Sequence, residues 1–505
     1  MDSDLQSIQE VRDLLAAATE AQHEFRTYSQ EQVDRICRAM AEAGASQAAR
    51  LGRLACEETG FGRPEDKEQK NLFATRRVWE SIAQLKTVGV IHEDHERQIV
   101  SIAEPMGIVA ALIPSTNPTS TVMFKALISV KARNGIVASP HPKAARCTAE
   151  AMHVVRDAAE QAGAPRSLMA CLTIPTAEGT QELMRHKLTS IILATGSHAM
   201  VRAAYSAGKP AYGVGSGNVP SFIERTADVP KAVADIISGK QFDYGTLCST
   251  ESALVCDAPV KQRVVQCCLD LGAYFVAGEE LDRLSRLLFD ERGALNPSMV
   301  GKSPLFIARA AGIAAPDHVS VLIAELDGVG KAYPLSREKL SPVLSFYTAD
   351  GWRAACHRCI ELLEFGGIGH TLVIHSRDRD IIMKFAMEKP AFRILVNTQS
   401  ALGAVGYTNG LDPSFTLGAG TWGGSIVSDN VTARHLLNIK RLAFETRPLH
   451  PPGAPSTPGV SWIEHVEHRL GVKESLPPRE SSPFGNALSA EEVDEITRTF
   501  LRDLT

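Results

Sequence analysis

Three kinds of feature are missing from this sequence, and each absence narrows what the chain can be. It has no apolar run of about eighteen residues, so no spanning helix is expected, and its polar start, Met1-Asp2-Ser3-Asp4, does not read as a signal peptide. It has no basic excess: 53 Lys and Arg stand against 58 Asp and Glu, a formal net charge of -5, which leaves no footprint for nucleic acid. It has neither a disulfide framework nor a ligand quartet for a metal. Its ten cysteines are spread over 505 residues, the usage of a reducing cytosol, and Cys356-His357-Arg358-Cys359 has no second pair of matching spacing. That CxxC falls in a helical pattern from Trp352 to Leu363, and Cys267-Cys268 also reads as helix packing. What is present, 44% apolar and 22% charged residues, is ordinary for a soluble globular enzyme, at a length that calls for two or three domains.

The order of elements is that of an α/β protein. Helical periods occupy the first ninety residues or so, with Val11, Leu14 and Leu15 on one face and Val33, Ile36 and Met40 on another. Ile108–Ile113, ended by Pro114, and Ile136–Ala138 are short apolar runs flanking a helix-compatible stretch, Val122 to Lys131, which is a βαβ unit with a buried parallel sheet. The pattern repeats: a helix from Ala145 to Ala162, a strand at Leu168–Leu172, a helix from Gly179 to Arg185, and a strand at Ile191–Ala194. Thr195-Gly196-Ser197 then opens a helix from His198 to Ala207. A glycine there lets backbone approach a phosphate at a helix N-terminus, yet no full G-x-G-x-x-G is present, and such glycines are more often plain turn chemistry. Further strands are expected near Ser252–Val255, Val319–Ile323, Val343–Tyr347, His370–Ile374 and Ile394–Val396. Beyond Arg447 the chain is Pro-rich, then ends in a segment with a Ser489/Glu492 capping box and an apolar face of Val493, Ile496, Phe500, Leu501 and Leu504.

Cys248 is the first candidate for chemistry. It lies in Phe242-Asp243-Tyr244-Gly245-Thr246-Leu247-Cys248-Ser249-Thr250, a glycine-marked turn ahead of the apolar Ala253-Leu254-Val255. A thiol so placed can attack a carbonyl, although spacing alone equally describes a packed, inert cysteine.

Glu104-Pro105-Met106-Gly107-Ile108 with Pro114-Ser115-Thr116-Asn117-Pro118-Thr119-Ser120 resembles the CoA-acylating aldehyde dehydrogenases, in particular the aldehyde dehydrogenase half of bifunctional aldehyde–alcohol dehydrogenases. The likeness continues in family order through Ser139-Pro140-His141-Pro142, Gly208-Lys209-Pro210, Gly213-Val214-Gly215-Ser216-Gly217-Asn218, the Cys248 loop, Glu338-Lys339-Leu340-Ser341-Pro342, Gly366-Gly367-Ile368-Gly369-His370-Thr371 and Leu417–Gly424. It covers roughly residues 5 to 445, and the iron-dependent alcohol dehydrogenase half has no counterpart.

The resemblance implies a fold: a Rossmann-type dinucleotide-binding domain over 1–242, completed by 425–447, a catalytic α/β domain over 243–424 and a small oligomerisation arm. A Pro-rich linker over 448–487 and an amphipathic helix over 488–505 follow. It also implies roles. Cys248 becomes the nucleophile that carries a thioacyl group to coenzyme A. The Asn117 amide and the Cys248 N–H become the oxyanion donors, and His370, with an ordinary pKa of about 6.5, the proton handler. Glu338 holds the nicotinamide ribose, and Ser115, Thr116, Ser139, His141, Thr195, Gly196, Ser197 and Gly213 line the cofactor. No acidic residue near Ser139 favours a free 2′-hydroxyl, and Lys143 and Arg146 lie close, so the cofactor is NAD or NADP.

Gly213 stands where hydrolytic relatives carry the glutamate that activates water, so thiol acceptance is expected over acid formation, the hydrolytic enzyme being the alternative. Acetaldehyde is the default substrate, with sulfoacetaldehyde or succinate semialdehyde as the same chemistry on an anion. No metal, nucleic acid or membrane partner is implied. A cytoplasmic homo-oligomer, dimer or tetramer, is expected, and its terminal helix could dock a shell or scaffold protein, as in a bacterial microcompartment.

Overall fold

The structure, a computed structural model, describes residues 2–447 and Leu449. The rest of the Pro-rich stretch and the helix expected over 488–505 lie outside the described residues. Residues up to Glu93 and Val100–Leu442 form one compact unit. Asp94–Ile99 groups apart with the described residues from Ala443 onward, where the Phe444 N–H donates to the Gln98 carbonyl at 3.0 Å.

The chain opens with helices Ser3–Phe25, Gln30–Ser46 and Ala48–Thr59. The second begins in a capping box, in which Ser29 accepts from the Gln32 N–H and the Gln32 side chain accepts from the Ser29 N–H. A helix starting at Pro64 passes through a π turn, Phe73–Arg77, and ends at Ile82. Two strands follow, β1 (Gly89–Asp94) and β2 (Ile99–Pro105).

β3 (Ile108–Ile113), β4 (Gly135–Pro140), β5 (Met169–Cys171), β6 (Thr189–Thr195) and β7 (Ala211–Val214) make a wholly parallel sheet in the order β5-β4-β3-β6-β7. The period of two explains why β3 is apolar at every position. Val109, Ala111 and Ile113 enter a core shared with helices Gln30–Ser46, Pro118–Lys131 and Ala145–Gln161, while Ile108, Ala110 and Leu112 enter another beneath Ser3–Phe25 and Ala177–Arg185. The chain builds β3, β4 and β5 to one side and then crosses to β6 and β7 on the other. A topological switch point therefore lies at the carboxyl ends of β3 and β6, where such sheets open a ligand crevice.

The second parallel sheet holds β8 (Val219–Ile223), β9 (Glu251–Asp257), β10 (Ala273–Val276), β11 (Val321–Glu325), β12 (Val343–Ala349), β13 (Gly369–His375) and β14 (Ala391–Val396), in the order β10-β11-β12-β9-β8-β13-β14. Its strands also divide their side chains between two cores, Ala253 and Val255 facing one and Leu254 and Cys256 the other. β15 (Leu437–Ala443) lies beside β2 in a three-stranded sheet with β1.

Every strand expected from the apolar runs is present, within three residues at its start. β8 was not expected, and it moves the change of sheet ahead of the 242/243 division to between Val214 and Val219. The physical reason is Pro220, which ordinarily argues against an interior strand. β8 lies between β9 and β13, and a register shift between Val219 and Pro220 absorbs the missing N–H. Cys356 and Cys359 are buried on helix Gly351–Gly366, as helix packing implies, and no group of three or more candidate metal ligands occurs among the described residues. No helix among them is long and apolar enough to cross a membrane.

Phe124, fully buried on the crossover helix Pro118–Lys131, stacks edge-on to Phe415 with centroids 6.1 Å apart. Phe124→Ala should destabilise the protein by about 3–5 kcal/mol in urea melts. Met387→Ala, at an 82% exposed side chain, should stay within about 0.5 kcal/mol.

Candidate active site

Cys248 is held at the end of a turn that the backbone makes at some cost. Asp243, Tyr244 and Gly245 take φ of 47°, 49° and 72°, a left-handed run that only glycine adopts without strain. The Asp243 carboxylate, fully buried, pins it. Oδ1 accepts from the Arg63 N–H at 2.8 Å, and Oδ2 accepts from Lys67 Nζ at 3.0 Å, from Lys70 Nζ, and from Thr246 Oγ1 at 2.6 Å. Burial raises the Asp243 pKa, but the two ammonium groups outweigh it and leave the carboxyl below its ordinary value.

Asn117 meets this turn from the other sheet. It caps helix Pro118–Lys131, and its buried amide is oriented at both ends. Lys70 Nζ donates to Oδ1 at 2.5 Å, while Nδ2 points at the Thr246 carbonyl at 3.4 Å and at Thr116 Oγ1 at 3.1 Å. The donor end of the amide therefore faces the turn that carries the thiol. Lys67 adds a bond to the Thr116 carbonyl at 3.0 Å.

Gly217 joins the remaining candidates. Its N–H donates to Glu338 Oε1 at 3.1 Å. A Cβ built on it would come within 2.1 Å of the Cys248 carbonyl oxygen and 3.4 Å of His370 Nδ1. Cys248, His370 and Glu338 thus meet at one residue without a side chain. His370, at the start of β13, is buried; Nδ1 pairs with Thr371 Oγ1 at 2.9 Å, and Nε2 has no partner. With Nδ1 as the donor of that pair, Nε2 is a bare acceptor.

Burial sets the protonation states. It pushes the half-buried Cys248 thiol up to about 12, helped by the Glu338 carboxylate and opposed by Arg393. It raises Glu338 to about 7 against the Gly217 N–H and Lys240. It lowers His370 to about 3, with Arg393 adding to the effect, so the expectation of a histidine titrating near neutrality is corrected: His370 is neutral across the physiological range.

Two residues that bear on the site had no sequence signal assigned to them. Lys70 looks like part of a solvated face in Lys67-Glu68-Gln69-Lys70, and only the fold buries it. Arg393 carried a signal that went unused, a lone guanidinium within the apolar strand Ala391–Val396. It donates to the His370 carbonyl at 2.7 Å, to Asn430 Oδ1 at 2.7 Å and to the Gly418 and Ser428 carbonyls.

The remaining candidates gather at the carboxyl ends of the first sheet. Ser115 and Thr116 follow β3, half-buried. Ser139, next to last in β4, has its hydroxyl paired to Thr180 at 2.8 Å, and the exposed His141 accepts the Lys143 N–H on Nδ1 at 3.1 Å. Thr195 ends β6 with an enclosed Oγ1 that has no partner, and Gly196 leads to Ser197, which caps helix His198–Tyr205. Gly213, on β7, donates its N–H to the Tyr205 phenol at 2.9 Å, and a Cβ on it would meet Val201 at 2.6 Å and Tyr205 at 2.9 Å. Against the thiol turn lies a small pocket walled by Phe73, Leu247, Leu402, Val405, Tyr407 and Phe415, with Gln69 and Lys70 also lining it. Phe73 packs on Tyr407 and Phe415 with centroids 5.7 and 5.6 Å away.

Residues 4–286 match the aldehyde dehydrogenase family. The chain is 43% identical over 444 residues to aldehyde-alcohol dehydrogenase 2 of Entamoeba histolytica, covering 86% of this chain and 51% of that one. It thus spans about half the length of the first curated relatives it matches. An acetylating aldehyde dehydrogenase structure from Geobacillus thermoglucosidasius superposes with a TM-score of 0.88 at 52% identity, covering 89% of this chain and 99% of that one. A propionaldehyde dehydrogenase structure from Rhodopseudomonas palustris, with bound CoA and an acylated cysteine, superposes at 0.77 with 26% identity, over 86% and 97% of the two chains.

Two outcomes are expected from this geometry. Gly217→Ala should lower kcat about 10²-fold, because its methyl group displaces the Cys248 backbone; a near-normal rate would sink that reading. Iodoacetamide should inactivate the resting enzyme at a rate that climbs about tenfold per pH unit to at least pH 9, since a raised thiol pKa keeps Cys248 protonated below it. A plateau between pH 7 and about 8.5 would contradict it.

Proposed function

The chain belongs to the aldehyde dehydrogenase family, and on that premise we propose that it is a CoA-acylating member, oxidising a short uncharged aldehyde, acetaldehyde by default, to its acyl-CoA with NAD or NADP. The observation that carries this is the meeting of Cys248, His370 and Glu338 at Gly217, with the Asn117 amide turned toward the same loop.

Cys248 Sγ attacks the aldehyde carbon as its proton passes to water. The oxygen that turns anionic is met by Asn117 Nδ2 and the Cys248 N–H, donors fixed before the charge develops, each such donor being worth roughly 2.7–4 kcal/mol. A bound nicotinamide supplies the hydride acceptor that converts the thiohemiacetal to a thioester. Glu338 accepts from ribose hydroxyls, and the partnerless Thr195 Oγ1 at the switch-point crevice fits a polar group of the same cofactor. His370, neutral at working pH, offers Nε2 to the proton that leaves the CoA thiol as its sulfur attacks the thioester, and the bond from Cys248 Sγ to the acyl carbon breaks, the departing sulfur taking a proton back. Water is a poor competitor. The Gly213 position has no carboxylate, and Val201 and Tyr205 fill the space that one would need.

The pocket beside the thiol supports an uncharged substrate. Apart from Gln69 and the Tyr407 phenol its walls are apolar, and its cation, Lys70, is already matched by Asp243, so no unpaired positive charge lines it to hold a sulfonate or a second carboxylate. The β3–β7 sheet is assigned to the dinucleotide, the β8–β14 sheet to the thiol, and the sheet containing β15, with Ile439 and Leu442 exposed, to the arm of a homo-oligomer.

The test is purified protein with a panel of aldehydes and each cofactor, with and without CoA. Acyl-CoA should form with acetaldehyde or propanal, far faster than with the anionic aldehydes, and Cys248→Ala should abolish turnover. His370→Ala should slow transfer to CoA about 10²-fold. Reduced cofactor at an undiminished rate without CoA, with free acid as product, would overturn the acylating assignment.

A further inference from the structure

We propose that Lys70 is a positioning residue for the acylation step: it sets which end of the Asn117 side-chain amide faces the thiol turn. The inference rests on the oxyanion role given to Asn117 above and adds the group that makes that role possible.

A primary amide has one accepting and one donating end of nearly equal size. Rotated by half a turn, Asn117 would aim its oxygen at the place where negative charge develops, and the oxyanion would be repelled rather than held. Its own helix does not choose, because the side chain makes no capping bond to helix Pro118–Lys131. Two neighbours do. The Thr246 carbonyl, 3.4 Å from Nδ2, accepts only from the donating end, and Lys70 Nζ, 2.5 Å from Oδ1, can only donate. The first contact is long, whereas the second is charge-assisted and buried, so Lys70 decides.

Lys70 can do so because its own place is fixed. Asp243 Oδ2 accepts from it and also from Lys67 and Thr246 Oγ1, so the amide, the lysine and the strained turn before Cys248 form one connected group. Burial lowers the Lys70 pKa to about 8 against the pull of Asp243. Below that value Lys70 is the ammonium, which has no lone pair to accept from a flipped amide. The helix bearing Lys67 and Lys70 enters its π turn at Phe73, which walls the pocket. The same segment thereby supplies both the substrate wall and the lysine.

A lysine that merely balances Asp243 would behave differently, and three variants separate the readings. Lys70→Met should lower kcat about 10²–10³-fold with little change in the aldehyde KM, the loss expected when an oxyanion donor is taken away. Lys70→Met/Asn117→Ala should be no slower than Asn117→Ala alone, since the lysine acts only through the amide. Lys70→Met/Asp243→Asn, which takes away the carboxylate as well and leaves Lys67 buried without it, should not recover kcat. Recovery of kcat in that last variant, or multiplicative losses in the Asn117 pair, would overturn the proposal. A folded Lys70→Met of normal kcat beside a slow Asn117→Ala would refute Lys70 and leave the oxyanion reading standing. A fast Asn117→Ala would refute the oxyanion reading itself.

Discussion

One buried carboxylate, Asp243, holds the chemistry in place. It closes a left-handed turn that backbone preference opposes, and it ties that turn to a helix almost two hundred residues earlier through Lys67 and Lys70. Removing one member of such a buried pair leaves an uncompensated charge, at a cost of about 3–5 kcal/mol, so the arrangement is all-or-none. Because the thiol follows five residues after this carboxylate, the position of Cys248 is inherited from an ion pair rather than from its own packing.

Burial then assigns the chemical states. The Cys248 thiol, the His370 imidazole and the Glu338 carboxylate are grouped about Gly217, and in each the charged form is disfavoured. The result is a resting site with a protonated sulfur, a neutral histidine and a carboxyl near half-titration. Arg393 is the counterweight, a guanidinium anchored to four backbone and side-chain oxygens that lowers the thiol pKa and the histidine pKa together.

How much of this could be read beforehand follows from the kind of signal each residue leaves. β3 and β4 were legible because a strand covered on both faces must be apolar at every position. Asn117, Cys248 and Glu338 were legible through their motifs, and the structure brings them together with His370. β8 was hidden by Pro220, a residue that forbids an interior strand unless a bulge accommodates it. Lys70 was hidden for a more general reason. A buried lysine on an amphipathic helix is indistinguishable from an exposed one until its partner, distant in sequence, is known. His370 was given its solution basicity, which enclosure removes.

The phenol–glycine contact on β7 also bears on how readily this chain could change trade. Tyr205 donates to Ser425 as well as clasping Gly213, so it is wedged between two segments. A single codon change that restored an acidic residue at 213 would find that volume taken, and clearing the ring first would unfasten the 425 segment without yielding a base. Space at 213 is thus tied to the hold on the 425 segment, and neither can be altered alone.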